Sequence, residues 1–458
     1  MNDNKAVFET MPVPRALAIL AVPTIVSQLI TMIYNLADTF FIGLTNDPCK
    51  VAAASLAFVL FFNLNALANL FGVGGGSLIS RLLGRGEAAE AKKVSSFSFY
   101  GAIAVSAVYA LGCFVFLQPL LRLLGASDNT VGFAADYVFW VVVVGGVPST
   151  LGMTMAHLLR SEGYARQAGF GLGMGGVLNI LLDPLFMLVI LPRGSEVKGA
   201  AVATMLSNLA ALCYMGITFY RLRGKTVLSL SPRNPLPRPQ HIRSVFAVGF
   251  PSALGTLLAS LSNTVVNKLA SGYGDIPVAA VGIVKKIDML PMNVGMGLCQ
   301  GMMPLVAYNY SSKNYPRMRA VTRCARNAGI AFAAVCIVAF ELLAGPMVRL
   351  FIGDAQTVAL GTNFLRIACV AIPFVICNVQ MSYTFQAMGK GLQSLLLSSC
   401  RQGLVNIPLL FLMNALFGLY GVIWTQFVAD SLTLILSLLM YRSVYRGLEQ
   451  PPAPASGD

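Results

Sequence analysis

Asp38 and Asp183 are the two residues of this chain whose type and surroundings most demand a chemical reason. Each sits inside a long apolar run, Leu29-Ile-Thr-Met-Ile-Tyr-Asn-Leu-Ala-Asp38 and Leu178-Asn-Ile-Leu-Leu-Asp183-Pro-Leu-Phe. A carboxylate at the centre of a lipid bilayer costs roughly 2.5–3.5 kcal/mol on insertion scales, so an acid retained there points to function. Polar companions surround both at helical spacing. Thr31, Tyr34, Asn35 and Asp38 fall at i, i+3, i+4 and i+7, Asn179 and Asp183 at i and i+4, and Thr204 and Asn208 likewise. Side chains so spaced project from one helical face. Oxygen ligands from three helices at one depth suit a hard cation such as Na⁺. Two carboxylates in one site equally suit a proton, because like charges at close range are relieved by sharing one. The predicted cation site is therefore built on Asp38 and Asp183, with Tyr34, Asn35, Asn179, Thr204 and Asn208 presenting oxygens beside them. It would hold H⁺ or Na⁺, and no other cofactor is expected. Polar groups in spans can also merely tie helices together. Two acids with no basic partner at that depth in their half fit that role poorly, since a buried structural acid is normally paired.

The elements that must position these residues are membrane helices. The chain of 458 residues is 56% hydrophobic and 11% charged, where a soluble domain carries about 25% charge. A span needs about 20 apolar residues. Twelve such runs lie near 13–43, 51–83, 94–120, 131–158, 166–191, 198–220, 244–270, 278–307, 325–348, 357–387, 394–417 and 419–441. The fold class expected is an all-α membrane protein, with kinks at Pro23, Pro251 and Pro304. The net charge of +14 sits in alternate loops: 81–93, 221–243 and 311–326 are rich in Lys and Arg, while 44–50 has only Lys50 and 271–277 has none. By the positive-inside rule both termini face the cytoplasm, which accounts for the charge without a nucleic-acid partner. The nine cysteines form no CxxC and read as free thiols. Met1 to Pro14 is polar and lacks a cleavage site, so the first span is expected to insert as an uncleaved anchor.

The chain is a duplication. Val51-Ala-Ala-Ala-Ser-Leu recurs as Val278-Ala-Ala-Val-Gly-Ile, Pro23 as Pro251, and Val177-Leu-Asn179-Ile as Leu404-Val-Asn406-Ile, at spacings of 227 or 228. Six spans per half make parallel repeats, related by a pseudo-two-fold along the membrane normal, with a substrate site expected between them. The expected domains are a cytoplasmic segment 1–12, a first lobe 13–222, a cytoplasmic linker 223–243, a second lobe 244–446 and a disordered tail 447–458. The repeat places Val266 opposite Asp38 and Leu410 opposite Asp183, so the acids are not needed to build a six-helix unit.

Other polar residues within spans form a weaker set. Gln28, Asn63, Met289, Met292, Gln300, Asp288 and Asp430 are candidates to line a substrate cavity, the methionines because a polarizable, adaptable surface suits varied ligands. A local ion pair of Asp288 with Lys285 or Lys286 is the simpler expectation for that acid, and Asp430 has no obvious partner in sequence. Gly72-Val-Gly-Gly-Gly76 lacks the Lys-Ser/Thr of a phosphate loop, and Gly224-Lys225-Thr226 lacks its first glycine. Gly272-Tyr-Gly-Asp275 resembles an intramembrane protease signature but sits in an outer turn. His157 and His241 are the only histidines and form no triad or metal set, so no enzyme is expected.

The chain as a whole resembles the multidrug and toxic compound extrusion (MATE) transporters. The stretches that carry the resemblance are Pro23…Gln28…Asp38-Thr-Phe-Phe-Ile-Gly, Gly72-Val-Gly-Gly-Gly-Ser-Leu-Ile-Ser-Arg, Arg160-Ser-Glu-Gly, Asn179-Ile-Leu-Leu-Asp-Pro-Leu, Lys198-Gly-Ala-Ala-Val-Ala-Thr204, Gly249-Phe-Pro-Ser and Gln300-Gly-Met-Met-Pro304. The resemblance implies two six-helix lobes in a V and cation-driven export by alternating access. In the DinF-like bacterial branch the cation site is the first-helix aspartate with the Asn…Asp-Pro of the fifth, which match Asp38, Asn179 and Asp183. The NorM-like branch carries an acid on the seventh helix, and this chain has none from Ser244 to Leu269. The resemblance thus implies a monomeric H⁺ or Na⁺ antiporter in the bacterial inner membrane, exporting amphipathic or cationic organic drugs. The rival readings are a flippase for a lipid-linked cargo, which would need a cationic groove in the spans, and a non-transporting membrane protein, which would not explain acids in one repeat alone.

Overall fold

The computed structural model describes residues 2–449 apart from positions 46 and 193. The apolar runs form helices because a backbone in hydrocarbon must satisfy its N–H and C=O groups internally, and no strand occurs among the described residues. Span 1 is Val13–Gly43, span 2 Pro48–Gly84 and span 3 Ala88–Val115. Span 4 is a bent pair, Val131–Val144 and Gly146–Ser161, with 48° between its parts. Span 5 is Ala165–Ile190 and span 6 Glu196–Arg221. The second half repeats this order. Span 7 is Pro239–Ser271, span 8 Asp275–Ser311 and span 9 Tyr315–Arg349. Span 10 is again bent, Ala355–Cys369 and Ile372–Ala387 at 46°. The stretch Gly391–Arg446 breaks at Gly418, whose φ of 61° and ψ of −143° divide span 11 from span 12. That last helix continues to Glu449, into the range expected as a tail, and positions 450–458 lie outside the described residues. The protein is thus an integral membrane protein of twelve spans in two lobes.

The lobes meet through spans 1, 2, 7 and 8, in the halves nearest the face that carries the basic loops. Small residues permit this approach, as they do between helices in lipid. A Cβ on Gly249 would lie 1.9 Å from the Leu70 carbonyl oxygen, so only glycine lets span 7 touch the backbone of span 2 there. Hydrogen bonds join the lobes along the same seam. Ser77 Oγ donates to the Gln386 carbonyl at 2.6 Å, and Asn69 Nδ2 to Thr256 Oγ1 at 3.2 Å.

Two segments at the basic face strap one lobe to the other. The linker between spans 6 and 7 lies across the foot of span 3: Ser95 and Ser96 Oγ donate to the Ser229 carbonyl, and Asn234 Nδ2 donates to Ser96 Oγ at 2.6 Å. Glu162 accepts from the Thr226 hydroxyl and from the Val227 amide, while burial pushes its carboxyl up from the ordinary value. At the start of span 7, His241 Nδ1 lies 3.1 Å from Glu90. The short helix Asn2–Glu9 docks instead on the second lobe. Arg317 donates to the carbonyls of Val7, Phe8 and Met11, and Phe8 stacks on Tyr308 at 4.9 Å.

Candidate functional site

Span 1 reaches its polar end through a proline. Pro23 cannot donate to the carbonyl one turn earlier, yet the helix is unbroken from Val13 to Gly43. Hydroxyls line the stretch beyond it: Thr24 Oγ1 donates to the Leu20 carbonyl at 2.8 Å, Ser27 Oγ to Thr24 at 2.9 Å and Thr31 Oγ1 to Ser27 at 2.9 Å. Such back-bonds compete with the helical ladder and favour bending. Span 5 fits against this stretch because a Cβ at Gly169 would lie 2.5 Å from the Pro23 carbonyl oxygen. Pro184 then loosens span 5 immediately after Asp183, and Leu185–Ile190 winds with the wider π-helical pitch, a form that recurs at functional sites.

These two spans bring the predicted site together. Asp183 is fully buried, Asn179 is 2% exposed and Thr204 4%. Asn179 Nδ2 donates to Asp183 Oδ1 at 3.1 Å and to Thr204 Oγ1 at 3.1 Å, which commits both of its N–H bonds and links spans 5 and 6. Across from them Asp38 accepts from the Tyr137 hydroxyl at 3.2 Å. The two carboxylates lie within electrostatic range of each other and of Tyr34. Among the described residues no hydrogen-bond donor reaches three buried acceptor oxygens, Asp38 Oδ1, Asp183 Oδ2 and Asn179 Oδ1. Counted from the helix ends at Gly43, Ile190 and Glu196, Asp38, Asp183 and Thr204 sit roughly 8–12 Å deep at 1.5 Å per residue. Buried acceptors without donors are costly, and a proton or a small hard cation would satisfy them.

The MatE family profile matches residues 23–185 and residues 251–412, one copy in each lobe. The chain belongs to the MatE family. It is similar to the multidrug export protein MepA of Staphylococcus aureus strain MRSA252, 33% identical over 434 residues and 94% of each chain. The MepA of Staphylococcus saprophyticus is 31% identical over 433 residues, again 94% of each. A crystal structure of a MATE protein in complex with MaD3S superposes with a TM-score of 0.91 at 23% identity, covering 98% of this chain and 100% of that one. The two-lobed MATE fold is therefore shared along the whole length.

Within this MatE chain the other candidates divide. Gln28 continues the span 1 face on which Ala21 and Ile25 touch Gly301 and Gly297 of span 8. It is half-buried, as are Met289 and Met292 of span 8, and Gln28 alone of these three is placed on an inter-lobe face by these contacts. Asn63 instead donates to the Tyr109 hydroxyl at 3.3 Å inside the first lobe. Gln300 is buried in the closed seam, accepting from Arg160 Nη1 at 3.2 Å. Two local expectations are corrected. Lys285 Nζ turns away from Asp288 to Asn267 Oδ1 at 3.0 Å and the Asn263 carbonyl at 3.3 Å, both on span 7, so the local ion pair predicted for Lys285 is not made. Asp430 does have a partner: Arg401 Nε lies 2.8 Å from its Oδ1. Asn378 and Gln426 also donate to it, so this acid is occupied in binding spans 10, 11 and 12 together. Tyr137 escaped the sequence reading because it stands apart from the polar row of span 4, Thr150, Thr154, His157 and Ser161, which lies in the other part of the bent pair. The Gly72–Gly76 run serves packing, as a Cβ on Gly72 would lie 2.8 Å from His157 Cδ2.

Proposed function

We propose that this protein exports amphipathic, chiefly cationic, organic compounds across the bacterial inner membrane, driven by inward H⁺ or Na⁺ through alternating access. The observation that carries the reading is the trio of donorless buried oxygens on Asp38, Asp183 and Asn179, confined to one of two otherwise repeated lobes. The multidrug export named for its MepA relatives supports the cargo class. The basic face is cytoplasmic by the positive-inside rule. The closed seam then lies on the inner side, and the coupling site sits toward the outside.

Mechanistically, Asp38 and Asp183 repel one another until a cation shields them. Uptake of H⁺ or Na⁺ removes that repulsion and draws span 1 toward span 5, the Thr24–Ser27–Thr31 stretch beyond Pro23 taking up the bend. Gln28 lies within that stretch and edges the inter-lobe space, so its movement reshapes the cavity and lowers affinity for cargo. A ligand shifts a conformational equilibrium only by its differential affinity for the two states, and the paired acids provide that difference. Dye efflux from proteoliposomes under an imposed pH or Na⁺ gradient tests this, wild type beside Asp38→Asn. Efflux driven by one gradient and lost in the variant is expected. Gradient-driven efflux that persists in the variant would sink the proposal.

A further inference from the structure

Inside the second lobe, at the basic face, spans 9, 10 and 12 enclose a cavity of about 370 Å³. Its wall carries Arg319, Arg323, Arg326, Arg442 and Arg446, and among the described residues no Asp or Glu lines it. Among the described residues no carboxylate forms an ion pair with Arg323, Arg326, Arg442 or Arg446. Tyr441 and Tyr445 face each other at 4.0 Å along one side, with the Arg319 guanidinium 5.3 Å over the Tyr445 ring. Several of the buried polar groups beneath are already used, though the Tyr445 hydroxyl is not. Thr322 and Thr384 donate their hydroxyls to helix carbonyls, and Gln380 Nε2 donates to the Thr322 carbonyl at 2.6 Å. Recognition in this hollow is therefore left to the Tyr445 hydroxyl and to the guanidiniums, whose planar forks match phosphate oxygens.

The duplication supplies a control for the trivial explanation, that these arginines merely mark the cytoplasmic side. The same hollow exists in the first lobe, 227 positions earlier, and it is filled. Ser95, the counterpart of Thr322, receives the linker through Ser229. Phe219 and Met215, the counterparts of Arg446 and Arg442, pack in one apolar cluster with Leu228 of that linker. One repeat thus closes the hollow with its own chain and apolar side chains. The other replaces those side chains with arginine and leaves about 370 Å³, a volume within the range of small-molecule sites. Guanidiniums gathered around one hollow repel each other unless an anion enters. Positive-inside topology requires basic residues near the membrane but does not require them to face a shared cavity.

We propose that this cavity in the second lobe is a binding site for a phosphate-bearing anion, separate from the coupling site in the first lobe. The phosphate could belong to a soluble cytoplasmic compound or to the headgroup of an anionic inner-leaflet lipid, and two arms of one experiment distinguish them. Wild type and the triple variant Arg323→Gln/Arg442→Gln/Arg446→Gln are purified in detergent free of phospholipid, and thermal unfolding is followed while inorganic pyrophosphate is titrated. Both are also reconstituted in nanodiscs of phosphatidylglycerol or of phosphatidylcholine, and retained lipid is counted by native mass spectrometry. A pyrophosphate-dependent rise in melting temperature, weakened at least tenfold in apparent affinity by the variant, identifies a soluble anion site. Phosphatidylglycerol retained by wild type but not by the variant, with no pyrophosphate effect, identifies a headgroup site. No difference between wild type and variant in either arm overturns the proposal. Matching elution volume and unchanged gradient-driven dye efflux show that the variant is folded, and loss of efflux in Asp38→Asn bears only on the coupling site.

Discussion

Replacing Arg401 with glutamine should destabilise the second lobe severely, and the structure sets the scale. Asp430 is fully buried and the Arg401 side chain only 12% exposed, with 2.8 Å between Nε and Oδ1. Asn378 Nδ2 donates to the Asp430 carbonyl at 2.8 Å and to Oδ1 at 3.1 Å, while the Gln426 amide donates to Oδ2. Asp288 lies within electrostatic range of both members of the pair. Without Arg401 the carboxylate keeps only neutral donors and faces a second acid. Removing one partner of a buried pair costs about 3–5 kcal/mol, and the surviving amide donors offset about 1 kcal/mol of that. For a unit the size of one lobe, each kcal/mol lowers the midpoint by about 2–4 °C, which gives a fall of about 5–15 °C. Thermal unfolding in detergent reads this directly. The double variant Arg401→Gln/Asp430→Asn removes the fully buried charge together with its partner and should regain at least half of the loss, with efflux retained. A single variant melting within about 2 °C of wild type would refute the reasoning. So would a double variant less stable than Arg401→Gln alone.

The site and the seam each set further outcomes. Tyr137→Phe removes the hydroxyl that donates to Asp38 Oδ2. At about 1 kcal/mol for such a bond, the driving-ion concentration at half-maximal efflux should shift roughly fivefold, with melting nearly unchanged. Asn179→Leu cuts the link between Asp183 and Thr204, so gradient-driven dye efflux should be lost while the protein elutes as a single folded peak. Gly249→Ala drives a Cβ into the Leu70 carbonyl. At about 1–3 kcal/mol of overpacking it should open the seam, read as raised thiol labelling of a cysteine placed at Ser77 or Gln386.

Legibility in the sequence depends on how local each signal is. Apolar runs and basic loops are dense local signals, and they located spans 1, 6 and 7 to within a few residues of the helices. The i, i+4 pairs on spans 5 and 6 are local as well, so Asn179, Asp183 and Thr204 were legible before any contact was known. Tyr137 was not, because its importance comes from a contact with Asp38, 99 positions away, which no spacing within span 4 encodes. Asp430 misled for the same reason: Arg401 lies 29 positions away on another span, and only tertiary packing joins them. Lys285 sits one turn from Asp288, yet span 7 offered it oxygen ligands first. The arginine cavity was hidden too, since its five guanidiniums come from two spans and read in sequence as ordinary loop charge.

The two straps at the basic face have a mechanical consequence. Arg317 holds the segment that leads into span 1, and Glu90, 227 positions earlier, holds the one that leads into span 7. Each lobe is thus moored to the other by the leash of its own first helix, at points related by the repeat. Two moorings on one face oppose sliding and outright separation, and they leave tilting as the free motion. On the proposed alternating-access reading, they also cap how far the mouth on the basic face can gape, so leash length becomes a setting for the largest cargo admitted there. Inserting flexible residues between Asn234 and Pro239 should widen that mouth and shift dye efflux toward bulkier molecules, while the proposed ion site, near the opposite face, is left untouched.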